Sequence, residues 1–146
     1  MRSLPCALFL TVVLVFSVSV SWSATAPQKQ TAETATQFYL RWRATALNAT
    51  SIHEITPFCT TETIDEVDML PDDSARAETL AMVKRLFRMQ TDVTVIKETA
   101  TPNGATLSLE AVDRDRKPVI SSVDIVKENG AWKVTAAVEQ WKPKGN

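Results

Sequence analysis

His53 is the only histidine, so the chain can build neither a catalytic triad with a second histidine nor a His-rich zinc site. Beside Glu54, at the start of a predicted helical turn, it reads as a surface or capping residue. The three glycines, Gly104, Gly130 and Gly145, each stand alone, which excludes a Gly-rich phosphate loop. No metal and no cofactor are expected. The side chains with a remaining chemical use are aromatic. Phe38, Tyr39, Trp42 and Trp132 can stack on a flat ligand if they line a cavity, and are plain core if they do not.

The elements that must position them follow from two hydrophobic rhythms. Ala32, Ala35, Phe38, Tyr39, Trp42, Ala46 and Leu47 recur at spacings of three and four, which predicts a helix from Thr31 to about Asn48, with Arg41, Arg43 and Thr45 facing water. Ser51-Ile52-His53-Glu54 has capping-box spacing and predicts a short turn closed by Pro57. Thr63-Ile64-Asp65-Glu66 repeats that spacing, for a second short helix near residues 62 to 70. Asp72, Asp73 and Ser74 offer N-caps for a longer helix to about Met89, with Ala77, Leu80, Val83, Leu86 and Phe87 on its apolar side.

After Gln90 the period becomes two. Val93 and Val95, then Leu107, Leu109 and Ala111, then Val119, Val123 and Ile125, then Trp132, Val134, Ala136 and Val138 alternate with polar residues and imply four strands. Asn103-Gly104 and Asn129-Gly130 suit tight turns, because both residue types tolerate positive φ. The charged run Asp113 to Lys117 reads as a solvated loop. The fold class is therefore α+β, with N-terminal helices packed on one face of a curved antiparallel four-stranded sheet.

Compartment is written at the start of the chain. Met1-Arg2-Ser3-Leu4 precedes an uncharged apolar run from Ala7 to Val20, broken by Ser17, Ser19 and Ser21 before it is long enough to span a bilayer. Residues 1–23 read as a cleavable secretory signal, cut after Ser23, and residues 24–30 as a flexible leader to one domain over 31–142. Localisation is expected to be secreted or periplasmic, with no stable membrane anchor after cleavage. Cleavage removes Arg2, the only charged residue of that segment, and moves the formal charge of −1 one unit further negative. The mature chain carries a small net negative charge, whereas nucleic-acid binding demands clustered Lys and Arg, so no nucleic-acid partner is expected. Cys59 would be the one cysteine remaining, either a buried thiol acting as a small hydrophobe or the seat of an intermolecular disulfide. Asn48-Ala49-Thr50 matches the N-glycosylation sequon, which matters only in a eukaryotic secretory pathway.

A helix with an aromatic stripe, shorter helices, and a meander closing on Asn129-Gly130-Ala131-Trp132-Lys133-Val134 resembles the nuclear-transport-factor-2-like superfamily, which includes ketosteroid isomerase. The likeness is to its small exported members related to lumazine-binding-like domains. The resemblance covers residues 31 to 141 and implies a cone-like sheet wrapped round the first helix, with a cavity between them. It also implies two kinds of function, catalytic and non-catalytic. For an isomerase- or dehydratase-like enzyme it points to Tyr39 as oxyanion donor with an inward carboxylate as base. Asp113 continues the inward parity of its strand, and Asp124 has the outward one.

Ile120, Val126, Ala137 and Trp141 alternate out of phase with the core set, and family members often dimerise through that outer face. These four are the candidate interface for a homodimer or an envelope protein partner. Lys127, Lys133, Lys142 and Lys144 form a basic group near the final hairpin, read as an anionic docking patch or as protection of edge strands. The favoured reading is a non-enzymatic exported binding module for a small hydrophobic ligand or a protein partner. The alternatives are the enzyme using Tyr39 and a structural accessory of an envelope assembly.

Overall fold

A computed structural model of the chain describes residues 32–135 and 140–145. The signal, the leader and residues Ala136, Ala137 and Val138 of the fourth expected strand lie outside them. Helix α1 is Ala35–Asn48, and two 3-10 turns follow at Ile52–Glu54 and Thr56–Phe58. Helices α2, Thr61–Asp68, and α3, Asp73–Arg88, precede the strands β1, Thr91–Thr101, β2, Gly104–Val112, β3, Pro118–Glu128, β4, Ala131–Val134, and β5, Lys142–Pro143. The sheet is antiparallel in the order β1-β2-β3-β4, and the short β5 pairs with β3 off that path. None of the helices among the described residues is long and apolar enough to cross a membrane.

Each helix begins where a side chain can satisfy its free amides. Thr34 caps α1 through a reciprocal box in which its hydroxyl accepts from the Gln37 amide at 3.2 Å and its own amide donates to Gln37 Oε1 at 3.0 Å. Ser51 and Glu54 form the expected box, and Asp72 is the cap chosen for α3. For α2 the cap is Thr60, so Thr63 falls inside the helix and its apparent box is not used.

The core joins the helical stripe to the sheet's inner face. Phe38, Tyr39, Trp42 and Ala46 of α1 share one buried cluster with Leu107, Leu109, Ile125 and Val134, and on β2 every second residue from Ala105 to Ala111 is buried. Trp42 meets Phe87 of α3 edge to face, with ring centres 5.0 Å apart. Ala77, expected on the apolar side of α3, is exposed.

Arg43 does not face water. It is 6% exposed, and its guanidinium donates to the carbonyls of Phe87 at 2.6 Å and Gln90 at 3.2 Å while lying 4.5 Å from the centre of the Phe87 ring. The end of α3 leaves carbonyls without intrahelical donors, and a planar cation with several donors both supplies them and complements the helix dipole. A charge alone on the polar side of a pattern carries no trace of this.

Of the two turns expected to use positive φ, one does and one does not. Asn129 (φ 53°) and Gly130 (φ 81°) do take positive φ in the β3–β4 hairpin. Asn103 and Gly104 do not; the loop there is Pro102-Asn103, with Thr101 paired to Gly104. Gly104 is needed for closeness instead, since a Cβ on it would collide with the Ile125 carbonyl oxygen.

β1 carries two irregularities that the alternation did not predict. Thr91 pairs with Val112 and Thr94 with Glu110, so Asp92, at φ 53°, and Val93 share one partner position. Val95 pairs with Leu109 and Lys97 with Ser108, which leaves Ile96 as an extra residue, 57% exposed. A bulge shifts the side-chain phase by one. Val95 therefore faces inward, and so does Glu98, opposite Leu107. Glu98 Oε2 then accepts from the Thr36 amide at 3.0 Å and its hydroxyl at 2.6 Å, tying the sheet to the first turn of α1. These bonds, the hydroxyl's foremost, hold the Glu98 carboxyl below the usual glutamate value of 4.5.

Candidate functional site

Two hollows lie against the core. The larger, about 690 Å³, has walls from the 3-10 turns, α2, α3 and the inner side of the sheet: Ile52, Ile55, Val67, Leu70, Val83, Leu86, Phe87, Val119 and Val134 among them, with Trp42 at the α1 side. Apolar residues of both α2 and α3, Val67 and Leu86 among them, contribute to its lining. Polar groups are few: Thr56, Thr63, Glu66, Thr79, Gln90, Asp113 and Thr135. Such a lining accommodates an apolar guest and gives it little charge to pair with.

Two side chains in this wall carry specific chemistry. The Trp42 indole N–H is buried and has no acceptor among the described residues. A buried donor left unsatisfied costs about 1–3 kcal/mol. Cys59 is 7% exposed, its Sγ lies 3.5 Å from the Ile55 carbonyl oxygen, and burial pushes its thiol up to about 11. At neutral pH it is a protonated small hydrophobe rather than a nucleophile, which favours the buried-thiol reading over an intermolecular disulfide.

Asp113 also reaches the larger hollow, in keeping with its inward parity. Its carboxylate is already occupied: Oδ1 accepts from the backbone amides of Asp115 at 2.9 Å and Lys117 at 2.8 Å and so organises the charged loop, where Arg116 takes φ 61°. Asp124 faces outward and accepts from the Thr106 hydroxyl at 2.6 Å.

The smaller hollow, about 360 Å³, lies where residues 32–33, the turn at Pro57-Phe58 and the β3–β4 hairpin meet α1. Phe38, Phe58 and Trp132 supply its rings, and Glu33, Arg41, Lys127 and Lys133 its charges. Arg41 grips Glu33 through two bonds of 2.8 Å and lies 4.8 Å from the Phe58 ring centre. That grip holds the Glu33 carboxyl below its usual value and raises Arg41. The Trp132 indole donates to the Glu33 carbonyl at 2.7 Å, and Lys133 Nζ donates to the Pro57 carbonyl at 2.7 Å.

The four aromatic candidates are thus divided. Phe38 and Trp132 line the smaller hollow, Trp42 the larger, and Tyr39, with no exposed surface, lines neither. A substrate in either hollow does not meet Tyr39. Of the outer-face candidates, Ile120 is 37% exposed and shares its face with half-buried Val126, amid Thr106, Ser108, Glu110, Ser122 and Asp124. Ala137 lies outside the described residues. Trp141 is on the other side: Lys142 pairs with Ile120, which turns Trp141 and Pro143 inward, and both line the larger hollow.

The lysine group also divides. Lys127 and Lys133 belong to the smaller hollow, whereas Lys144 pairs with Glu110 at 2.8 Å and Lys142 lies beside Ile120. The sequence reading missed the α2–α3 wall and the part played by Phe58 and Arg41. The apolar positions of α3 were its one available signal for the former. No group of His, Cys, Asp and Glu among the described residues is placed to hold a metal ion. No protein-family model, curated protein or solved structure matches this chain.

Proposed function

We propose that the chain is an exported, non-enzymatic binding module of nuclear-transport-factor-2-like design, whose cone-like sheet and helices hold a small hydrophobic ligand in the larger hollow. One observation carries the reading: a hollow of about 690 Å³ walled mainly by aliphatic and aromatic side chains. That size falls in the range of about 300–1,000 Å³ occupied by small-molecule sites. The exported location rests on the basic start and apolar run of residues 1–23.

Titration of the purified protein with the neutral fluorophore N-phenyl-1-naphthylamine tests the site. Saturable enhancement is expected, and Val83→Trp and Leu70→Trp, which each place a large ring in the hollow, should abolish it while far-UV circular dichroism stays unchanged. Equal binding by both folded variants would refute the assignment.

A further inference from the structure

The smaller hollow has a charge imbalance that its own residues do not resolve. Arg41 and Glu33 neutralise one another. Lys127 and Lys133 have no carboxylate partner among the described residues: Lys133 is held by the Pro57 carbonyl, and Lys127 Nζ lies 4.5 Å from the centre of the Trp132 ring. Two ammonium groups therefore flank an aromatic wall with only a dipole and a π face to meet them. Their combined positive field favours an anion, and the field is stronger inside a concave, partly apolar wall than on open surface.

We infer that this hollow is a second binding site, separate from the larger one, for a small organic carboxylate with a flat apolar body. The carboxylate would sit between Lys127 and Lys133, and the body against Trp132, Phe38 and Phe58. At about 360 Å³ the space suits a guest of one or two fused rings. The walls are tied before any guest arrives. Trp132 is bonded to Glu33, Glu33 to Arg41, and Lys133 to the Pro57 turn, so three separate stretches of chain are already in register. A site fixed in advance loses less entropy on binding. A phosphate ion would satisfy the lysines and leave the rings without use.

The test follows the indole N–H resonances of the isotopically labelled protein during titration with 2-naphthoate, its uncharged isostere 2-naphthamide, and inorganic phosphate. Naphthoate should shift the Trp132 signal saturably, with the amide and phosphate each at least tenfold weaker. Lys127→Gln with Lys133→Gln should lose at least tenfold in naphthoate affinity, about 1.4 kcal/mol, at an unchanged melting temperature. Lys127→Met with Lys133→Met provides a second charge-free pair should the first be unstable. Equal affinity for acid and amide, phosphate binding as tight as naphthoate, or full affinity in a folded double variant would overturn the proposal. So would movement of the Trp42 signal with Trp132 unmoved, which would put the probe in the larger hollow. The outcome is independent of whether an apolar ligand occupies that other site.

Discussion

Arg41 and Arg43 stand two residues apart on α1 with the same charge, and truncating each to alanine should have unequal effects on stability. Arg43 makes two charge-assisted bonds to the carbonyls of Phe87 and Gln90, each contributing about 1.5 kcal/mol or more. Its stacking on Phe87 adds about 1 kcal/mol. Relief from burying a cation offsets part of this. The expected net loss for Arg43→Ala is about 3 kcal/mol, which at a urea m-value of about 1.5 kcal/mol/M lowers the unfolding midpoint by about 2 M. Arg41 is paired with Glu33 at the surface, with side chains 53% and 36% exposed, and such pairs contribute about 0–1 kcal/mol. With its contact over the Phe58 ring adding about 0.5–1 kcal/mol, Arg41→Ala should move the midpoint by less than about 1.3 M. Arg43→Met, which keeps the stem over Phe87 and loses the donors, should fall between them. Equal midpoints for the two alanine variants, or an Arg43→Ala protein as stable as the parent, would refute the account of how α3 is closed.

Three further outcomes follow from particular contacts. The carboxyls of Glu33, Glu54 and Glu98 are all held below 4.5 in the folded protein, chiefly by hydrogen bonds from Arg41, Thr50 and Thr36 respectively. A depressed acid stabilises above its unfolded value and loses that effect as pH falls, so the melting temperature should be level down to about pH 5.5 and drop below about 4.5; a rise on acidification contradicts this. The Cys59 thiol should resist a disulfide reagent at pH 8 and react fully in denaturant. Because burial raises it from 9.0 to about 11, stability should decline as pH climbs through that interval, and a Cys59→Ala protein should decline less steeply. Gly104→Ala should destabilise by about 2 kcal/mol or more through overlap with the Ile125 carbonyl. Gly130→Ala, whose Cβ meets nothing, should cost only the positive-φ strain of about 1–2 kcal/mol, and thermal melts of the two variants would reveal a reversed order.

Much of the architecture was legible because burial on one face leaves a period in the sequence. The alternation of Leu107, Leu109 and Ala111 and the stripe from Ala35 to Ala46 predicted their elements and their inward sides. What escaped was whatever depends on a distant partner. Arg43 is buried because the end of α3 meets it, a fact 44 residues away in the chain. Trp141 turns inward because β5 pairs with β3 through Ile120, and parity counted along the last hairpin does not know that register. The aromatic candidates were grouped by type, yet helix geometry sends Phe38 and Trp42 toward different hollows and leaves Tyr39 sealed between sheet and helices. Polar patterning likewise grouped four lysines that the register separates.

The bulges of β1 also bear on how the molecule treats its own kind. An eleven-residue outer strand rich in Thr and Val would ordinarily be a template for strand addition. Asp92 and Ile96 each break the even spacing of amides and carbonyls that an incoming strand would need to match. Deleting either residue would restore that spacing, and deleting Ile96 would still leave Lys97 opposite Ser108 and Glu98 opposite Leu107, on the side of Thr36. Losing one residue would then open a route to fibre-like assembly while the opening helix stayed tied to the sheet, a failure from a change that removes no core side chain.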